Sequence, residues 1–130
     1  MLKVKVKTPL IVQGVPKTTK APWLKKSTRK WEVFYDFHAT IDEVDWIIPR
    51  GYVFDGASIP RFLWIFWTPT NEESWEASCV HDYFYSHATD QVTKKFADDV
   101  FRQMLINAGA SKMKVFLFFH AVRLFGKGQW

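Results

Sequence analysis

Cysteine occurs once in the chain, as Cys79, so no intramolecular disulfide forms and the fold does not depend on oxidation. Long hydrophobic runs are also missing. The longest apolar stretches, residues 62–67 and 115–119, are far too short to span a bilayer. The N-terminus alternates lysine with valine and has no apolar signal-peptide core, so synthesis in the cytoplasm is the expectation. No Cys/His spacing points to zinc. Gly56 is not embedded in a GxGxxG or Walker pattern, and no G-x-S-x-G elbow surrounds Ser58, so a phosphate cradle and a serine nucleophile are both unsupported. Residues 1–30 hold no acidic side chain, yet they carry Lys3, Lys5, Lys7, Lys17, Lys20, Lys25, Lys26, Arg29 and Lys30. Such an arm fits an anionic surface, either membrane or nucleic acid, or an acidic protein. Equally, its lysines suit a solvated strand edge protected from aggregation. No nucleic-acid motif favours the first alternative.

What is abundant is aromatic: 12 Phe, 7 Trp and 4 Tyr make 18% of 130 residues. That load fills a dense core and leaves rings for a partner or an interface. Length alone supports one domain over residues 1–130, with a core that needs no metal or disulfide. Net charge is +5 and the pI about 9.4.

Taken in order, residues 2–7 alternate strictly and read as a strand. Residues 13–29 read as a basic loop. Residues 31–38 read as a second strand, with Trp31, Val33, Tyr35 and Phe37 on one face and Glu32, Asp36 and His38 on the other. Residues 44–48 and 52–54 flank the turn signal Pro49-Arg50-Gly51. The character changes at residue 55. Ser58 can cap a short helix over 62–67, with Pro60 in its first turn. Further helices are expected over 74–88, over 91–108 before Gly109, and over 111–124 closed by Gly126. Strands first and helices after give an α+β chain: a small N-terminal antiparallel sheet, then three to four helices. Its parts are a basic arm (1–30), strands (31–54) and a motif-bearing helical part (55–126).

The chemistry concentrates in Ala77-Ser78-Cys79-Val80-His81-Asp82-Tyr83-Phe84-Tyr85. One helical turn from His81 lie Ala77, Ser78, Phe84 and Tyr85, so the imidazole points inward. It reads either as a general base or as a core histidine satisfied by one hydrogen bond. Asp82 reads as a cation ligand, as a cap for the loop at Pro60, or as a partner of an arginine. On the following helix Asp99 lies between Lys95 and Arg102, a solvated face. Asp98 lies at the margin of the apolar stripe Ala97, Phe101, Met104, Ala108, where a carboxylate needs a partner. His81 is one candidate, with Asp98 fixing its tautomer; a structural pair with Arg123 or Arg61 is the other. Asp55, Ser58 and Arg61 form a further polar loop, and Cys79 reads as an inert core thiol.

Asp55-Gly56-Ala57-Ser58-Ile59-Pro60-Arg61, His81-Asp82-Tyr83-Phe84-Tyr85, Ala97-Asp98 with Phe101, and Val122-Arg123 with Phe125-Gly126 together resemble the domain of unknown function 1353 family of tailed phages and prophages. The likeness spans about residues 48–126, with Phe54 standing where the family commonly shows threonine. It implies a phage origin and supplies no settled activity; in that setting the chain reads as a structural or virion-associated accessory protein, tail or head, made in the host cytoplasm and assembled with other virion proteins. His81-Asp82 with Tyr85 is also similar to the H-D-x-x-Y helix of phospholipase A2 enzymes. That likeness implies His81 as base, Asp98 as its orienting partner and calcium on Asp82, hence a small hydrolase acting on lipid or cell envelope. The glycine-rich calcium loop and the disulfides of those enzymes are missing.

Overall fold

Three alternating stretches lie side by side in the computed structural model, which describes residues 2–14, 31–54 and 72–126. Strands β1 (Val4–Val6), β4 (Phe37–Ile41) and β5 (Val44–Ile48) form one antiparallel sheet in the order β1-β4-β5. Strands β2 (Val12–Gly14), β3 (Trp31–Val33) and β6 (Val53–Phe54) form a second in the order β2-β3-β6. Each stretch leaves one sheet and enters the other, so the two are a single three-stranded layer broken along a common line. In register, Lys5 faces Thr40, Ala39 faces Trp46, and Glu32 faces both Gln13 and Val53. Backbone bonds stitch the break: Lys7 N–H to the His38 carbonyl (2.9 Å), Phe34 N–H to Ile11 (2.8 Å) and Val33 N–H to Tyr52 (2.8 Å).

That break corrects one expectation. Residues 31–38 are not one strand, and Tyr35 does not share a face with Val33 and Phe37. Those two are fully buried while Tyr35 is 57% exposed. The period of two is lost because the chain bends at residues 34–36. There the Asp36 carboxylate accepts the Arg50 N–H at 2.7 Å, and the Arg50 guanidinium lies 5.5 Å over the Phe34 ring. Between β4 and β5, Asp42 and Glu43 take φ values of 48° and 70°, the left-handed pair that matches the twist of a tight hairpin. Asp42 also ties β1 to that hairpin, since its side chain accepts the Lys3 N–H at 2.8 Å.

Among the described residues three helices follow: α1 (Glu72–His87), α2 (Lys94–Asn107) and α3 (Lys112–Phe125). The architecture is therefore α+β, as the order of sequence patterns implies. Thr93 caps α2 by accepting the Phe96 N–H, and Ser111 caps α3 by accepting that of Lys114. Helix α2 ends at Ala108 and turns through Gly109 at φ 89°.

Helix α1 lies between the strands and α2. Trp75 packs edge-on against Trp31 (5.0 Å) and Phe54 (5.8 Å), and Phe84 against Trp46 (4.8 Å). On its other side Phe84 meets Phe96 of α2. The largest fully buried rings, Phe37, Phe54, Phe84, Phe101 and Phe118, come from β4, β6, α1, α2 and α3, so one core joins the layers. Truncating any of them to alanine removes about 3–5 kcal/mol by the usual cavity cost. The expected helix at 62–67, the loop with Asp55, Ser58 and Arg61, and most of the basic arm lie outside the described residues.

Candidate functional site: a buried carboxylate held by three helices

Asp98 is fully buried, although it is ionisable and sits mid-helix on α2. Four donors converge on it. Oδ1 accepts from His81 Nε2 at 2.7 Å and from the Tyr85 hydroxyl; Oδ2 accepts from Arg123 NH1 at 2.8 Å and Lys94 Nζ at 3.0 Å. Helical spacing explains the convergence. His81 and Tyr85 are one turn apart on α1, Lys94 is one turn before Asp98 on α2, and Arg123 closes the last turn of α3. The Lys94 ammonium also donates to the Val122 and Arg123 carbonyls at 3.1 and 3.3 Å. It thus places a cation on the carbonyls at the negative end of α3, where the Val122 carbonyl also accepts the Gly126 N–H at 2.9 Å. Gly126 lets the chain close over the cluster, because a Cβ there would come within 2.7 Å of the Tyr85 hydroxyl and meet the Val122 carbonyl.

Two donors on each oxygen saturate the acceptor capacity of the carboxylate. Burial alone would raise the Asp98 pKa, but the four donors outweigh it and hold the group at about 2. Burial pushes His81 below its ordinary value; Asp98 opposes that shift and Lys94 adds to it. Burial, helped by the bond to Asp98, pushes the Tyr85 hydroxyl well up. At neutral pH the cluster therefore holds one carboxylate, two cations, a neutral imidazole and a neutral phenol.

An ionised Asp98 can only accept, so the His81 proton resides on Nε2 and the lone pair on Nδ1. Nδ1 has no hydrogen-bond partner among the described residues. The imidazole is walled by Tyr85 (4.0 Å between centroids) and Phe101 (4.8 Å).

The structure thus brings together His81, Asp98, Tyr85 and Arg123. The histidine and arginine partners, which the sequence presents as competing explanations for Asp98, are present at once. Lys94 is the member that sequence reasoning missed. Its signal was the i, i+4 spacing to Asp98, the same relation that pairs Lys95 with Asp99 at 3.0 Å on the exposed side. Asp82 is half-buried and takes no part in the Asp98 network. Among the described residues no three His, Cys, Asp or Glu side chains converge as metal ligands, and Asp55, the other acid considered as a ligand, lies outside them. Ser86 and His87, also missed, meet at 2.7 Å on the exposed end of α1, where the serine also lies 3.1 Å from the Tyr52 hydroxyl.

Two buried groups near the cluster are chemically idle. Burial pushes the Cys79 thiol far up, so it is a protonated core side chain. The Ser78 hydroxyl is buried without a hydrogen-bond partner among the described residues. An unpaired buried hydroxyl destabilises, so Ser78→Ala is expected to leave the unfolding free energy from urea titration unchanged or raise it, by up to about 1 kcal/mol. A loss of more than about 1 kcal/mol would show that the hydroxyl does have a partner in solution.

One family model matches, that of Protein of unknown function (DUF1353), over residues 31–122. The match runs from β3 through most of α3 and so contains His81, Tyr85, Lys94 and Asp98, while β1 and β2 lie outside it. No curated protein and no solved structure matches. The chain belongs to the DUF1353 family.

Proposed function

We propose that this DUF1353 member is a bacteriophage structural or virion-associated accessory protein, a tail or head component that docks on neighbouring subunits. The observation that carries the reading is the saturation of Asp98. A carboxylate that orients a general base is most useful when its charge is free to stabilise the imidazolium. Here Lys94 and Arg123 already compensate that charge, and both oppose a third positive charge on His81. The cluster is a clamp that fixes α1, α2 and α3 relative to one another. Rigid helices leave the sheet side for docking. Strand β5 is an edge, paired only with β4 among the described strands, and it exposes Val44 and Ile47. An unpaired edge with exposed apolar side chains is what a neighbouring subunit's strand requires. The resemblance to phage and prophage proteins supplies the setting, and the basic arm over residues 1–30 adds an anionic surface as a further contact.

Mass spectrometry of extensively washed phage particles tests this directly. The chain is expected in fixed copy number, and its absence from infectious particles would sink the reading.

One observation favours a second reading, a small phage hydrolase. The Nε2–Asp98 bond leaves the Nδ1 lone pair of His81 able to take a proton from water, which could then attack an ester or amide of lipid or cell envelope. Wild type and His81→Gln assayed on phospholipids and peptidoglycan, with and without calcium, separate the two. The clamp reading expects no turnover from either protein. Turnover that disappears in a still-folded His81→Gln protein establishes the hydrolase.

A further inference from the structure

Helix α3 is apolar on two opposite sides. Val115, Phe118, Ala121 and Val122 face the core and are buried. A period of 3.6 places Met113, Phe116, His120 and Leu124 together on the opposite side. There Met113 is 62% exposed, Phe116 61% and Leu124 76%, with the Phe116 ring against His120 at 4.3 Å. A helix that packs one face into a core normally turns polar side chains outward. This one turns out a ridge.

The charge around the ridge has one sign. Residues 112–126 contain no Asp or Glu. Helical geometry sets Lys112 and Arg123 along one border of the ridge, and Arg102 of α2 joins that border by lying 5.8 Å over the Phe119 ring. Of the two acids on α2, Asp98 is buried in the clamp and Asp99 is paired with Lys95.

We propose that this ridge seats on an anionic lipid surface, with Met113, Phe116 and Leu124 in the headgroup region and Lys112 and Arg102 over the lipid charges. Charge complementarity selects the occupant. A second copy packed on the same ridge would bring the same cations face to face with no acid to meet them. A soft, flat, negative surface suits it better. No described helix is long and apolar enough to cross a membrane, so the mode is lying on the surface. The inference goes beyond the proposed function: it stands whether the Asp98 cluster clamps or catalyses, and it concerns a different surface from the arm at residues 1–30.

The experiment is vesicle flotation of the full chain, with phosphatidylcholine vesicles containing or lacking phosphatidylglycerol. Wild type is expected to float with the anionic vesicles, at least about tenfold more than with the neutral ones, and less as salt rises. Phe116→Ser/Leu124→Ser should cut that binding about tenfold or more without shifting the melting temperature, since both residues are exposed. Arg102→Glu/Lys112→Glu should do the same, and Val44→Ser/Ile47→Ser on the sheet edge should not. Equal flotation of wild type and Phe116→Ser/Leu124→Ser would overturn the proposal and move the binding to the basic arm. So would no flotation at all, including the case in which light scattering finds a dimer that the same double variant dissociates.

Discussion

Asp98→Ala is expected to lower the unfolding free energy by about 3–5 kcal/mol and the melting temperature by roughly 10–20 °C. The loss is large because the substitution does more than delete hydrogen bonds. It leaves Lys94 and Arg123 facing each other across the place where their counterion stood, and it takes from the His81 Nε2–H its acceptor in a closed site. Desolvated charges without compensation are among the costliest defects a core can carry. Asp98→Asn keeps the shape and two polar atoms but turns one acceptor into a donor aimed at existing donors, so it too should cost more than about 2 kcal/mol. Arg123→Ala should cost less than either, because Arg123 is partly solvated and Lys94 remains on the same oxygen. Asp99→Ala is the internal control. Its exposed pair with Lys95 is worth no more than about 0.5 kcal/mol. If equilibrium urea unfolding found Asp98→Ala within about 1 kcal/mol of wild type, the clamp would be wrong, and the saturation of Asp98 could no longer argue against catalysis.

Much of this arrangement was legible in the sequence, because helices announce themselves through capping residues and spacing. Ser111 and Gly126 bracket α3 as expected, and a carboxylate beside the stripe Ala97, Phe101, Met104 demanded a partner on a neighbouring helix. Burial of Asp98 could be inferred from its neighbours, but not its saturation. Nothing in the sequence separates Lys94 from its neighbour Lys95, and only the docking of α3 shows that its ammonium turns inward to two carbonyls and a carboxylate. The strands were less readable. Alternation over residues 31–38 continues smoothly through the bend, since Tyr35 is as apolar as a core position requires. What breaks it is a contact distant in sequence, Asp36 with the Arg50 N–H. The outward ridge of α3 was visible only as an apolar run; which half of that run faces the core is decided by where α2 lies.

Acid should reveal the clamp a second way, through the difference between wild type and Asp98→Asn measured by urea unfolding from pH 8 to pH 2. Asp98 has a folded pKa of about 2 against 3.8 for the free side chain. A depressed carboxylate gives stability that is fully present above its unfolded pKa and is lost as pH falls through the folded one. For Asp98 that is about 2 kcal/mol, surrendered between roughly pH 4 and pH 2. His81 acts earlier. Its folded pKa lies below 6.5, so the unfolded chain takes up the proton first, and stability drains away as pH falls below 6.5. Asp98 is the group that limits this loss, because its negative charge holds the imidazole pKa up against burial. Without that charge, the Asp98→Asn protein must resist protonation of His81 more strongly and loses more in mild acid. The gap between the two proteins should therefore widen as pH falls below 6.5, then narrow again toward pH 2 as Asp98 itself is protonated. A gap that stays flat across the range would mean that the carboxylate is not ionised in the folded protein, and the two cations beside it would then have no counterion to hold them.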